Sequence, residues 1–146
     1  MQLSLKRVLR VSNEIAELLK QRAQKPLVSP EPPTMDDLIE AQEAMLISAP
    51  AELRDFLLEA SYEIYGRLEP VTIADRNCHT YLPEVAAEAW ARGMPREYIP
   101  LCVDRSNIFC VAEDGTVFIW NEALGDEPEE VSTNVWEWVR DYWLES

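Results

Sequence analysis

Two kinds of residue in this chain have side chains suited to chemistry: a Cys-His dipeptide and several paired carboxylates. Cys78 and His79 are adjacent, and His79 is the single histidine of the sequence. A thiolate–imidazolium couple or a shared metal needs both side chains on one side of the backbone. Neighbours in an extended segment point opposite ways, so this pair supplies neither. A nucleophile–base pair would have to bring Cys102 or Cys110 across the fold to His79, which the sequence leaves open. Asp36-Asp37, Glu113-Asp114 and Glu129-Glu130 are of the right type for calcium or acid–base work, yet none shows the spaced ligands of an EF-hand loop. Solvated surface or helix capping accounts for them. There is no GxGxxG, Walker loop, HExxH, GxSxG or zinc-spaced cysteine set. Four glycines leave little material for a phosphate cradle. The expectation is a protein that is not an enzyme, with no catalytic, cofactor or metal site.

Charge says more. Residues 1–30 hold six basic residues against Glu14 and Glu17, a net of +4, whereas residues 31–146 hold seven arginines, no lysine and 25 acidic residues, a net of −18. A body that anionic repels nucleic acid and acidic lipid and attracts a basic protein, speeding the encounter. The same charge also serves plain solubility. No run of about 18 apolar residues is present, nor a signal-peptide pattern, and three cysteines without CxxC spacing read as reduced thiols; a cytoplasmic location is expected.

The elements that must position these groups follow from periodicity. Leu5, Val8, Leu9, Ser12, Ile15, Ala16 and Leu19 recur at three- and four-residue steps and predict an amphipathic N-terminal helix over 1–24. Its stripe needs a partner, either the domain itself or a second chain. A lack of bulky aromatics speaks against a membrane surface. Residues 25–33 form a connector with Pro26, Pro30, Pro32 and Pro33, which cannot continue a helix. Residues 34–146 read as one α+β domain. Thr34 and Asp37 form an acidic capping box for a helix through Leu46. Pro50 starts a third helix, with Leu53, Phe56, Leu57, Ala60 and Ile64 on its buried face.

Further along, Leu68–Ile73 reads as a strand, and Pro83 to Arg92 as a helix capped by Gly93. Ile99–Val103 is another strand. Asn107–Ala112 and Thr116–Trp120 should pair about Glu113-Asp114-Gly115, with Phe109 and Val111 on one face and Ile108, Cys110 and Ala112 on the other. Both faces are apolar, so both must be covered. Asn121 to Glu130 reads as an acidic loop. Ser132 should cap a last helix that buries Trp136, Val139, Tyr142 and Trp143 and turns Trp138 partly away.

This order of apolar and turn residues resembles the SUKH superfamily, the Smi/Knr-like domains, over residues 34–146. Met35–Leu46, Pro50 with Leu53, Phe56, Leu57 and Leu58, then Val71–Ile73, Trp90, Ile99-Pro100, Asp114-Gly115 and Trp120 stand for the family's parts. The glycine that closes the family's second helix is displaced here, to Gly66. The resemblance implies a small, mostly antiparallel sheet packed on helices. It also implies a protein-binding role, as in bacterial immunity proteins that neutralise polymorphic toxins, often nucleases. The alternative it implies is a housekeeping regulator or scaffold. Polar loops at strand ends carry contacts when a scaffold presents them. The candidate partner-binding residues are therefore Asp75, Arg76, Asp104, Asn107, Glu113, Asp114 and Glu122, with Trp120 as a surface aromatic anchor. The expected partner is a protein, not nucleic acid or membrane, for a chain that is monomeric or a homodimer through its N-terminal helix.

Overall fold

The computed structural model describes residues 2–26 and 31–146, with side chains from Val11 onward in the first stretch. Residues 27–30, the middle of the proline-rich connector, lie outside the described residues. Five helices pack on an open, four-stranded antiparallel sheet, an α+β arrangement as the patterning predicts. The helices are α1 (Gln2–Arg22), α2 (Met35–Met45), α3 (Ala51–Glu59), α4 (Leu82–Ala91) and α5 (Val135–Trp138), the last running on into a π turn over Val139–Trp143. The strands are β1 (Ile99–Asp104), β2 (Asn107–Val111), β3 (Val117–Trp120) and β4 (Glu129–Ser132), side by side in that order.

Local chemistry explains most of these boundaries. Thr34 and Asp37 close the capping box: the Asp37 N–H donates to Thr34 Oγ1 at 3.2 Å and the Thr34 N–H to the Asp37 carboxylate at 2.8 Å. The β2–β3 turn places Gly115 at φ +92°, a conformation that only glycine enters without strain, and Asp114 Oδ1 accepts from the Thr116 N–H at 3.0 Å. Register then follows as Ile108 opposite Trp120, Phe109 opposite Ile119 and Cys110 opposite Phe118.

Alternation along β2 and β3 splits the interior in two. Phe109, Val111 and Val117 face the main core, built from Leu19 of α1, Leu38 of α2, Phe56 of α3, Leu82 of α4 and the tryptophans of the C-terminal helix. Phe56 meets Trp136 and Trp143 edge-on at 6.0 and 5.9 Å, and Phe109 meets Trp138 at 5.5 Å. Ile108, Cys110 and Trp120 face the other way, onto a small cluster closed by Ala89 and Met94. Ile15, Ala16 and Leu19 are buried, so α1 docks on its own domain.

Four expectations fail for physical reasons. Residues 68–73 do not form a full strand. Pro70 lacks a donor, and the segment makes single bridges, Pro70 to Cys102 and Thr72 to Tyr81. Residues 121–130 are not all loop: after a short turn of helix at Glu122–Leu124, Glu129–Ser132 pairs with β3. Carboxylates at an outer strand discourage edge-to-edge association, which sequence propensity reads as loop. The third helix stops at Glu59, leaving Ile64 on the surface, 47% exposed. The last helix is capped by Asn134, not Ser132: Asn134 Oδ1 accepts from the Glu137 N–H at 2.9 Å, while Ser132 is buried in β4.

Trp138 is fully buried, not turned away. An α-helix would set residues five apart about 140° from each other. The π turn, in which the Leu144 N–H reaches the Val139 carbonyl at 2.8 Å, brings Trp138 and Trp143 onto one side with ring centroids 6.5 Å apart.

Candidate functional site

Among the described residues a groove of about 260 Å³ opens between α4 and the β1–β2 hairpin. Val85, Glu88, Ala89 and Arg92 lie at three- and four-residue steps and so share one helix face, which lines one wall. Val103 and Ile108, paired across β1 and β2, line the other. The segment Arg67–Val71 closes one end, held to the sheet by the Val71 N–H donating to the Leu101 carbonyl at 2.8 Å.

The floor is apolar and the rim is ionic. Arg67 grips Asp104 with both terminal nitrogens, at 2.7 and 3.3 Å. This guanidinium holds the Asp104 carboxyl below the usual carboxylate range. His79 Nε2 lies 2.7 Å from Glu69, and Arg92 Nε donates to Glu122 at 2.9 Å. Arg92 also sits over the Trp120 ring, 5.8 Å from its centroid. These pairs are largely exposed, so each contributes little to stability and is cheaply exchanged for a pair with another molecule. Val103 is 43% exposed, an apolar side chain in easy reach of a visitor. Among the described residues the Glu88 side chain makes no hydrogen bond or ion pair, and it lies exposed on the rim.

Nothing in this groove unites a cysteine with His79. Cys78 Sγ donates to the Asp75 carbonyl at 3.1 Å, and Cys102 and Cys110 are buried on opposite sides of the sheet. Burial pushes both of those thiols up to about 12, so they stay protonated and inert at neutral pH. Among the described residues no group of three or more His, Cys, Asp or Glu is placed to hold a metal ion. None of the described helices is long and apolar enough to cross a membrane.

A family model described as SUKH_5, SMI1-KNR4 cell-wall, matches residues 12–144. The chain belongs to this SMI1-KNR4 family. The resemblance read from residues 34–146 therefore holds, and the family match begins earlier, inside α1. A crystal structure of a protein from Pseudomonas syringae pv. tomato is 45% identical, covers 92% of this chain and 99% of that one, and superposes with a TM-score of 0.84. No curated protein matches significantly. The family supports a protein-binding or immunity-like domain.

Within this SMI1-KNR4 domain the sequence-derived candidates fall into three places. Asp104 and Glu122 take part in the ion pairs of the groove rim, and Asn107 joins them at the same end of the sheet, accepting from Asn121 Nδ2 at 3.1 Å. Glu113 and Asp114 sit at the opposite end of β2 and β3, about a strand's length away. Asp75 and Arg76 belong to the 74–80 loop, where Arg76 pairs with Glu40 of α2. Trp120 is 1% exposed, and its Nε1 donates to the Gly125 carbonyl at 2.7 Å. It is no surface anchor: strand alternation turns it onto the small cluster, where it supports Arg92. The sequence reading missed Arg67, Glu69, Glu88, Arg92 and Val103. One signal was available, since arginines are scarce in so acidic a body and two of its seven lie here.

Proposed function

We infer that this protein acts by binding another protein, and that the α4–hairpin groove receives a segment of the partner bearing an aliphatic side chain and a cation. The observation that carries this reading is the pairing of an apolar floor with a rim where Glu88 is left over, in a body of net charge −18 over residues 31–146. An incoming Lys or Arg side chain would lay its stem on Val85, Ala89 and Val103 and its charge at Glu88. The family membership supports an immunity-like or protein-binding role, and the acidic charge is our ground for taking a basic, nuclease-type toxin as the partner. Charge would then set the association rate, and the groove contacts the dissociation rate.

The test is kinetic. The protein is immobilised and exposed to a panel of basic nuclease-type toxin domains, and both rates are followed as salt rises for any that binds. Association should slow steeply with salt while dissociation changes little. Val103→Asp and Glu88→Lys should each raise the dissociation constant about tenfold or more, that is by at least ~1.4 kcal/mol. Unchanged affinity in both groove variants, with binding intact, would remove the groove from the reading.

A further inference from the structure

Helix α2 has two apolar faces, and the fold uses one. Leu38, Ala41 and Met45 are buried against the domain, whereas Met35, Ile39 and Leu46 are 59%, 45% and 84% exposed. Residues 35, 39, 42 and 46 follow the four- and three-residue steps of a single stripe, turned about 100° around the helix from the buried one. An apolar surface wider than the stripe a helix packs on its own core is normally covered by something else.

Leu46 makes the case stronger. It terminates α2 in the left-handed conformation at φ +57°, where glycine or asparagine is the usual choice and a branched side chain costs about 1 kcal/mol or more. The side chain so placed touches little of its own domain. Folding therefore gains little from leucine at this position, and a contact beyond the chain would give it a use.

Charge narrows the occupant. The helix carries Asp36, Asp37, Glu40 and Glu43 and no basic residue. Arg76 beside it is already paired with Glu40, and Arg96, near its end, donates to the Met45 carbonyl and lies over the Trp90 ring. Two such helices face to face would set acid against acid, which disfavours a dimer through α2 alone. The stripe instead fits an amphipathic helix that is basic. This chain contains one: residues 2–13 carry Lys6, Arg7 and Arg10, no acidic residue, and Leu3, Leu5, Val8, Leu9 and Val11. They open α1, in which the buried residues among the described side chains are Ile15, Ala16, Leu19 and, just past its end, Ala23.

We propose that the α2 stripe is the docking surface for the basic first turns of α1 from a second copy of the chain. Exchanged reciprocally, two such contacts close a two-fold dimer and leave no open-ended surface for a filament. Apolar contact on Met35, Ile39 and Leu46 supplies the affinity, and the opposed charges fix the orientation.

Sedimentation velocity of the full chain across a dilution series tests this without any partner. A reversible dimer is expected, weakened by salt. Ile39→Glu should raise the dimer dissociation constant about tenfold or more. Reversal of Lys6, Arg7 and Arg10 to Glu should do the same, and combining it with Asp36→Lys and Glu43→Lys should restore the dimer. Leu46→Gly separates the two roles of that position: it should weaken the dimer while raising the melting temperature of the diluted monomer. Glu88→Lys in the groove should leave self-association unchanged, which keeps this proposal separate from the partner-binding one. A chain that stays monomeric at every concentration overturns the proposal. So does a dimer indifferent to Ile39→Glu and to the charge reversal.

Discussion

The two faces of the sheet are covered by unequal means. One side carries the main core, in which α1, α2, α3 and the C-terminal helix surround Phe109, Val111 and Val117 with three tryptophans. The other carries five buried residues, Ala89, Met94, Ile108, Cys110 and Trp120, under the end of α4 and the loop after it. The groove opens beside this thin side, sharing Ala89 and Ile108 with it. Stability is thus concentrated on one face and access on the other, an arrangement that lets contacts at the groove change without risk to the fold.

The largest expected effect tests that inequality directly. Phe56, fully buried between Trp136 and Trp143, should cost about 4 kcal/mol when changed to Ala, because neighbours on every side prevent collapse of the cavity. Met94→Ala, on the thin side, should cost about 2 kcal/mol, since a flexible side chain near a groove leaves a site that relaxes. Urea unfolding measures both. Equal losses would mean that the two faces are equally rigid.

The cysteines place one reporter on each face. Cys102 belongs to the main core and Cys110 to the small cluster, and burial raises both thiols to about 12 from an ordinary 9.0. In the unfolded chain these thiols ionise near the ordinary value, so between the two values the native state holds more protons. Stability contributed by the protonated thiols is complete below pH 9 and is lost as pH rises toward 12, by about 1.4 kcal/mol per pH unit for each. A Cys102→Ala, Cys110→Ala double variant should show a shallower fall over that range. Under mild denaturant at pH 8, a thiol reagent followed by peptide mass spectrometry should label Cys110 before Cys102 if the thin face opens first. Simultaneous labelling would mean that the sheet opens as one unit.

How far the sequence could be read depended on whether neighbours in space were also neighbours in the chain. The capping box, the Asp-Gly hairpin and the two-faced strands are set by residues within a few positions of one another, and all are found. Asp104 and Glu122 were singled out as loop charges, but their partners Arg67 and Arg92 are 37 and 30 positions away, and no local rule links them. Trp120 was misplaced because position at a strand end suggested exposure while alternation dictated burial. Trp138 was misplaced because a period of 3.6 was assumed through a turn that runs at a longer one.

That π turn yields a finer contrast within the main core. Trp143 Nε1 donates to the Tyr65 carbonyl at 3.0 Å, tying the C-terminal helix to the loop after α3, and the Tyr65 hydroxyl returns a bond to the Leu144 carbonyl at 3.1 Å. Trp138 Nε1 is equally buried and has no hydrogen-bond partner among the described residues. Trp143→Phe should therefore cost about 1 kcal/mol more than Trp138→Phe, since it leaves a buried carbonyl unpaired as well as losing ring volume. Chemical denaturation of the two variants side by side checks the order, and a reversed order would place the stabilising contact elsewhere.

The smallest effect concerns the two turns of the sheet. The β2–β3 turn uses Gly115 at its positive φ, while the β1–β2 turn, at the edge of the groove, holds Arg105 at φ +59° between Asp104 and Asn107. A strained residue kept in place of glycine is better explained by what its side chain does than by the turn. Arg105→Gly relieves the strain but frees the unfolded chain, so the net gain should be near 0.5 kcal/mol, a rise of a few degrees at most in melting temperature. The same variant removes a positive charge beside Asp104 and leaves the groove edge more anionic, so association with a basic partner should be faster. Slower association after the change would mean that the Arg105 side chain meets the partner directly, whereas a gain in stability with faster association assigns the strain to the turn alone.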